Sequence, residues 1–254
     1  MNWMRGCRAW GWVVLLGSLG PAHAERITVA AAADLKYAMD ALVATFARQF
    51  PADEVAVVYG SSGKFATQIQ QGAPFDLYFS ADAVFPARLV DQGDAVSPVR
   101  LYARGRLVLW STTLPAQALT LPLLRDPRVK RVAMANPAHA PYGQRAQQAL
   151  TQAGLWGQVR PKLIYGENIA QAAQFVQTGH AEVGLVALSL VSGPDRKVAG
   201  AYRLVDEHLH QRLDQGFVVT RVGAGKPLAR RFADHVMAPP SRAIMASYGF
   251  VSPD

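Results

Sequence analysis

Apolar and polar positions in the first third of the chain follow two different periods. Residues 55–59 form a near-continuous apolar run, which is typical of a strand buried on both faces of a parallel sheet. Residues 34–50 instead space their apolar side chains at the 3.6-residue period of a helix, and Pro51 ends the pattern. Strand and helix patterns alternate three times up to residue 92, which predicts a parallel sheet with right-handed crossovers.

The same alternation repeats in the second part of the chain. It predicts strands at 106–110, 131–135, 162–165 and 182–187, with helices at 143–152 and 169–177. The last stretch returns through strands at 202–205 and 216–220 and ends in helices at 227–237 and 241–248. We therefore predict an α/β fold of two lobes without a linker, each lobe a mostly parallel sheet flanked by helices. Residues 25–105 begin lobe 1, residues 106–207 form lobe 2, and residues 208–254 return to lobe 1.

At four places a predicted strand ends in a turn of small residues that opens a helix. The turns are Ala32-Ala33-Asp34, Gly60-Ser61-Ser62-Gly63, Ala140-Pro141-Tyr142-Gly143 and Gly166-Glu167-Asn168. A helix start leaves backbone N–H groups unpaired and carries a partial positive charge. Ligands of α/β sheets lie off the carboxyl ends of the strands, where all four turns fall. The pattern predicts a small-anion receptor in a cleft between the lobes.

The first 24 residues read as a cleavable signal peptide rather than part of the fold. Arg5 and Arg8 precede a short apolar run, and Ala22-His23-Ala24 is typical of a cleavage site. We therefore expect the mature protein to begin near Glu25 and to be exported to a bacterial periplasm. An uncleaved membrane anchor is the alternative interpretation.

Charge and cysteine content narrow the class of partner. The formal net charge is +8, and removal of Arg5 and Arg8 leaves +6 for residues 25–254. These charges are scattered, so we expect a solvated surface with mild attraction for anions and no nucleic-acid partner. The single cysteine, Cys7, lies in the signal peptide, so the mature chain has no disulfide, thiolate metal site or thiol nucleophile.

The segment Gly60-Ser61-Ser62-Gly63 offers two hydroxyls and several N–H groups on one tight turn. On its own it fits an anion-binding loop or a plain turn with a serine N-cap equally well. It lacks the central serine spacing of a nucleophile elbow, and Lys64 lacks the spacing of a P-loop.

Taken together, these motifs resemble those of periplasmic molybdate-binding proteins that serve ABC transporters. The resemblance runs over most of the mature chain and rests on residues 31–35, 60–63, 72–82, 136–137 with 140–143, 166–169 and 248–250. It implies a two-lobed type II periplasmic binding fold that closes on one tetrahedral oxyanion, molybdate or tungstate. It also implies an inner-membrane ABC permease as partner. We expect a monomer with no cofactor and no covalent chemistry.

The resemblance also implies which residues bind the ligand. Lobe 1 would contribute the turn at Asp34 and the hydroxyl and N–H of Ser62, beside Ser61. Lobe 2 would contribute backbone N–H groups at Tyr142 and Ile169. One branch of the family has a further tyrosine donor at the position of Ala187, where this chain has none, whereas another branch resembles this chain in having a tyrosine near position 142.

Asp34 departs from the serine or asparagine usual at its position in the family. An ionised carboxylate only accepts hydrogen bonds and would repel a dianion. Three interpretations remain open: Asp34 caps its own helix, it is protonated and donates to the ligand, or it accepts from a protonated oxyanion such as phosphate or arsenate. Lys36 and Lys64 are close enough in sequence to offset its charge.

Two other classes of protein remain as alternatives. Asp206, His208 and His210 could hold a metal ion in an exported hydrolase, although a His-x-His segment is more often a solvated loop. The same scaffold could also serve as a surface adhesin with a vestigial cleft.

Overall fold

A computed structural model describes residues 24–194 and 199–253. The predicted signal peptide, residues 1–24, lies outside the described residues except for residue 24. The strands are β1 (Arg26–Ala32), β2 (Glu54–Gly60), β3 (Leu77–Ser80), β4 (Arg100–Gly105), β5 (Leu107–Ser111), β6 (Val132–Ala135), β7 (Leu163–Gly166), β8 (Val183–Ala187), β9 (Ala201–Leu204) and β10 (Leu213–Val219). The helices are α1 (Lys36–Gln49), α2 (Ser62–Gln70), α3 (Val84–Asp91), α4 (Pro141–Gln152), α5 (Trp156–Val159), α6 (Ile169–Gln177), α7 (Leu188–Val191), α8 (Pro227–Met237) and α9 (Pro239–Ser247).

The strands form two five-stranded sheets, one in each lobe. Their orders are β2-β1-β3-β10-β4 and β7-β6-β8-β5-β9. In the first sheet β1 pairs in parallel with β2 and β3, while β10 runs antiparallel to both β3 and β4. The second sheet repeats this arrangement, with β5 antiparallel to β8 and β9. Four strands of each sheet therefore share one direction, which confirms the mostly parallel sheets predicted from sequence.

The two reversed strands are the ones that enter a lobe from the other lobe. The chain passes from β4 directly into β5 at residues 105–107, and it returns between β9 and β10. Because β1, β3 and β4 end at the boundary between the lobes, a strand that starts at this boundary must run the opposite way. The same boundary therefore collects the carboxyl ends of the parallel strands from both sheets.

One prediction about burial is wrong. The apolar run at 55–59 predicts a strand covered on both faces, but β2 is the edge strand of its sheet, and Val58 is 44% exposed. β4 is a strand that the sequence pattern did not reveal at all. The helix predicted from residue 34 begins instead with a short 3-10 turn at Ala33–Leu35 before α1 starts.

Each lobe has its own apolar core. The core of lobe 2 includes buried residues of β5, β6 and β8 packed against α4 and α6. In lobe 1, α1 and α8 cover one face of the first sheet, and α2 and α3 cover the other face. Within the described residues, no helix is both long enough and apolar enough to cross a membrane.

Candidate functional site

The four small-residue turns meet at one cavity between the lobes. The cavity is small and is lined by Ala32, Ala33, Asp34, Gly60, Ser61, Ser62, Ala81, Ala140, Pro141, Tyr142 and Ile169. All five residues predicted to bind the ligand belong to this lining. Among the described residues, no lysine, arginine or histidine takes part in it. The cavity is thus formed by helix starts and hydroxyls rather than by fixed cations.

Ser61 and Ser62 begin α2 at the end of β2, and their hydroxyls have different partners. Ser61 occupies the N-cap position without a side-chain cap, and its Oγ donates to the carbonyl oxygen of His139 at 2.6 Å. Ser62 Oγ accepts the backbone N–H of Ala81 at 3.1 Å. A serine hydroxyl that accepts through its oxygen still has its own proton to donate. Ser62, which is buried and lines the cavity, is therefore a donor for a ligand oxygen.

Lobe 2 supplies the starts of α4 and α6. Pro141 is the first residue of α4, which leaves the N–H of Tyr142 in the first turn without a partner inside the helix. Ile169 is the first residue of α6, and the Asn168 side chain caps that helix by accepting the N–H of Gln171 at 3.0 Å. The cap satisfies one first-turn donor and leaves the N–H of Ile169 available.

Asp34 is fully buried at the floor of the cavity and does not cap its helix. The N-cap of the 3-10 turn is Ala32, so the interpretation of Asp34 as N-cap is wrong. Its Oδ2 accepts Nε2 of Gln215 at 2.6 Å, whereas its Oδ1 is buried without a hydrogen-bond partner. Burial raises the pKa of Asp34 to about 6, although interactions with Gln215, Tyr142 and the backbone N–H groups of Asp34 and Leu35 favour the ionised form.

Two tyrosines complete the polar group around Asp34. The Tyr102 hydroxyl donates to Oε1 of Gln215 at 2.6 Å, which orients the amide so that its nitrogen faces Asp34. Tyr142 places its hydroxyl within 3.4 Å of Gln215 Nε2 and also interacts with the Asp34 carboxyl. Burial raises the pKa of both tyrosines well above the usual value, so both stay neutral.

Gly105 makes this arrangement possible at the crossing from β4 to β5. A Cβ at this position would lie 2.1 Å from the Tyr142 hydroxyl oxygen and 2.6 Å from Gln215 Nε2. No side chain can occupy that space without displacing both groups. The crossing strand must therefore carry glycine where it passes beneath the cavity.

Direct contacts join the lobes around the cavity, so the structure is closed. Arg145 of α4 forms a buried ion pair with Asp82, which follows β3, at 2.5 Å. The N–H of Gly63 donates to the carbonyl oxygen of His139 at 2.9 Å, alongside the Ser61 hydroxyl. Ser189 Oγ donates to the carbonyl oxygen of Asp34 at 2.7 Å.

Lys36 and Lys64 do not reach the Asp34 carboxylate in this structure. Lys36 pairs with Asp40 at 3.1 Å, four residues along α1, and Lys64 pairs with Glu167 across the lobes at 3.0 Å. Both pairs are largely exposed, and such pairs contribute little to stability. The charge of an ionised Asp34 is therefore not offset by either lysine.

Asp206 and His210, in the histidine segment 206–210, interact with nearby backbone atoms. Asp206 Oδ1 accepts the backbone N–H of His208 at 3.0 Å, and His210 Nδ1 faces the carbonyl oxygen of Gln211. Nowhere in residues 24–194 and 199–253 do three or more His, Cys, Asp or Glu side chains form a group suited to a metal ion. The metal-dependent hydrolase considered from sequence therefore finds no support here.

Sequence reasoning missed Gln215, Tyr102 and Arg145. Gln215 lies one residue before the strand predicted at 216–220, although β10 extends back to Leu213. Gln215 alternates with the apolar Leu213 and Phe217 on one face of β10, and this pattern was a signal that a buried polar partner was needed. Arg145 gave no local signal, because its partner Asp82 lies 63 residues away on the other lobe.

A two-lobed sheet architecture that encloses a cavity of helix starts defines a periplasmic-type binding protein of the type II class. The family model of bacterial extracellular solute-binding proteins matches residues 27–251, and the chain belongs to that family.

Curated relatives and a solved structure agree with this assignment. The chain is 35% identical over 240 residues to the molybdate-binding protein ModA of Rhodobacter capsulatus, covering 94% of this chain and 93% of that protein. It is also 35% identical over 230 residues to ModA of Azotobacter vinelandii, covering 90% and 91%. The structure of the Azotobacter vinelandii periplasmic molybdate-binding protein superposes with a TM-score of 0.84 at 30% identity, covering 90% of this chain and all of that one.

Proposed function

We propose that this protein captures a tetrahedral oxyanion, molybdate or tungstate, in the cavity between its lobes. The observation that carries the proposal is the convergence of four helix starts and the Ser62 hydroxyl on a cavity whose lining has no cation among the described residues. Pre-oriented N–H dipoles hold an anion without requiring a fixed counter-charge. The ModA relatives, which bind molybdate by name, support the choice of anion.

Binding would proceed by closure of the lobes without any covalent step. Lobe 1 offers Ser62 and the turn at Asp34, and lobe 2 offers the N–H groups of Tyr142 and Ile169. An anion that contacts both sets interacts better with the closed form than with the open form, and it therefore shifts the population toward closure.

Membership in this family also suggests where the protein acts and what it acts with. We propose that the protein is exported to the periplasm through the signal peptide at residues 1–24, acts as a monomer, and delivers its anion to an inner-membrane ABC permease. Molybdate and tungstate are nearly equal in size and charge, and both would be accepted.

Titration calorimetry of purified protein with molybdate, tungstate, sulfate and phosphate tests the proposal. We expect one tightly bound molybdate or tungstate per chain and much weaker binding of sulfate and phosphate. Binding of phosphate without binding of molybdate would overturn the choice of anion. No response to any of the four would remove the oxyanion function and favour the adhesin alternative.

A second candidate ligand is a protonated oxyanion such as phosphate or arsenate. It is favoured by the buried Asp34 Oδ1, which has no partner and which, when ionised, could accept a proton from the ligand. The phosphate arm of the same titration decides between the two.

A further inference from the structure

The Asp34 carboxyl group is an unusual element in a cavity that would receive a dianion. It is 0% exposed, its Oδ2 is satisfied by Gln215, and its Oδ1 is buried without a partner beside the cavity. An ionised carboxylate next to a bound oxyanion would place like charges together in a low-dielectric site. A proton between the two groups removes this repulsion and gives Oδ1 its missing hydrogen bond.

We propose that the oxyanion binds together with one proton, which is held between Asp34 Oδ1 and a ligand oxygen. The inference rests on the proposed function and adds a property to it: the true ligand is an anion plus a proton. When the anion arrives fully deprotonated, the Asp34 carboxylate takes up the shared proton from solvent as the anion binds. The site thus neutralises its own carboxyl group instead of recruiting a cation.

The side chains around Asp34 do not change their own protonation state, so the Asp34 carboxyl is the group that titrates. Gln215 from β10 cannot change its charge, and the Ser189 hydroxyl from α7 donates to the Asp34 carbonyl oxygen. Tyr142 from α4 and Tyr102 from β4 stay neutral, because burial raises the pKa of each hydroxyl well above its usual value. α6 contributes the apolar Ile169 to the cavity lining.

Several charged side chains on the surrounding elements are engaged in ion pairs of their own, whereas the Nε of Arg106, at the crossing from β4 to β5, is buried without a hydrogen-bond partner. These pairs are Lys36 with Asp40 on α1, Lys64 of α2 with Glu167, Arg145 of α4 with Asp82, and Asp214 of β10 with Arg104. Asp40 also accepts a hydrogen bond from the Tyr59 hydroxyl of β2. His139 is the other group near the cavity that could titrate near neutrality. Burial and the Lys64 ammonium hold the pKa of His139 below its usual value.

The direction of the pH dependence follows from proton linkage. Burial already raises the pKa of Asp34 to about 6 without an anion, and a bound dianion raises this pKa further. Above about pH 6 the free protein has lost the proton that the complex keeps. Affinity should therefore fall as pH rises, by up to about tenfold per pH unit, until the carboxyl group of the complex ionises as well.

Calorimetry of molybdate binding tests this directly. Titrations at about pH 8 in buffers of different ionisation enthalpy count the protons that are taken up, and titrations from about pH 7 to about pH 9 give the slope of affinity. We expect uptake of about one proton per molybdate and a falling affinity. Asp34→Asn, which keeps the shape and supplies a permanent donor, should bind without proton uptake and with a nearly flat profile.

His139→Asn is the matched control, because it removes the other nearby titrating side chain and should keep both the proton uptake and the slope. Molybdate binding to the native protein without proton uptake would overturn this inference and leave the proposed function intact. The same pH slope and proton count in Asp34→Asn would also overturn it. Absence of molybdate binding to every variant at every pH would overturn the proposed function, and the inference with it. The proton count on native protein stands even if a variant fails to fold.

Discussion

At the scale of single residues, the cavity depends on polar side chains that are held in place by one hydrogen bond to the protein and keep another donor or acceptor atom for the ligand. Ser62 accepts the N–H of Ala81, so its rotamer is fixed and its own proton is left for a ligand. Asp34 is fixed in the same way through Gln215. Preorganisation of this kind lowers the entropy that binding must overcome.

Ser62→Ala should weaken molybdate binding by about 1–3 kcal/mol, the range for a lost hydrogen bond to a charged partner. The dissociation constant from calorimetry measures this. Ser247→Ala, on the exposed end of α9, is the control and should leave the constant unchanged. An unaltered constant in Ser62→Ala would place that hydroxyl outside the site.

Gly105→Ala should weaken binding by about fivefold or more, because its Cβ would overlap the Tyr142 hydroxyl and the Gln215 amide. Overpacking of this kind costs about 1–3 kcal/mol. Gly157→Ala has nothing within 4 Å of its new Cβ and serves as the matched control. Calorimetry and thermal unfolding of both variants separate an effect on the site from general destabilisation; equal affinities would contradict the close approach at Gly105.

At the scale of elements, helix starts determine where the donors point. α6 begins at Ile169 because Asn168 caps it, and it ends near Gly179, which has a φ of +73°. Those local signals suffice to predict α6 to the residue, and proline at the first position marks the start of α8 at Pro227 in the same way. β4 was missed, since Arg100 and Arg104 interrupt the apolar strand pattern and their partners Asp234 and Asp214 lie far along the chain.

Asn168→Ala should lower the free energy of unfolding by about 0.5–2 kcal/mol, because it removes the cap of α6. It should also weaken anion binding, since the first turn of α6 carries the Ile169 donor. Urea unfolding and calorimetry measure the two effects. Gln174→Ala, exposed on the same helix, should change neither; a stable Asn168→Ala protein would show that the cap is dispensable.

At the scale of the whole molecule, function depends on how the two lobes meet. Local periodicity predicts the two sheets, but it carries no information on the relative placement of the lobes. The contacts of Arg145 with Asp82 and of Ser61 with His139 join residues 63 and 78 positions apart, and they became evident only from the closed arrangement. The residue types at the helix starts were predictable, whereas Gln215, which comes from the returning strand, was not.

Arg145→Met should weaken molybdate binding by about 3 kcal/mol or more, because closure would then bury Asp82 without its partner. Opening lets water reach Asp82, so unfolding of the ligand-free protein should change less than binding does. Arg145→Met combined with Asp82→Asn leaves no uncompensated charge and should recover part of the affinity. Calorimetry of the two variants checks this; equal losses in both would show that the ion pair does not act on closure.

The most direct test of the account is a crystal structure of the protein with molybdate, with the metal located by its anomalous scattering. We predict a single molybdenum position in the cavity, within hydrogen-bond reach of the Ser62 hydroxyl and the N–H groups of Tyr142 and Ile169, and with one molybdate oxygen against Asp34 Oδ1. A molybdenum position outside this cavity, or none at saturating molybdate, would contradict it.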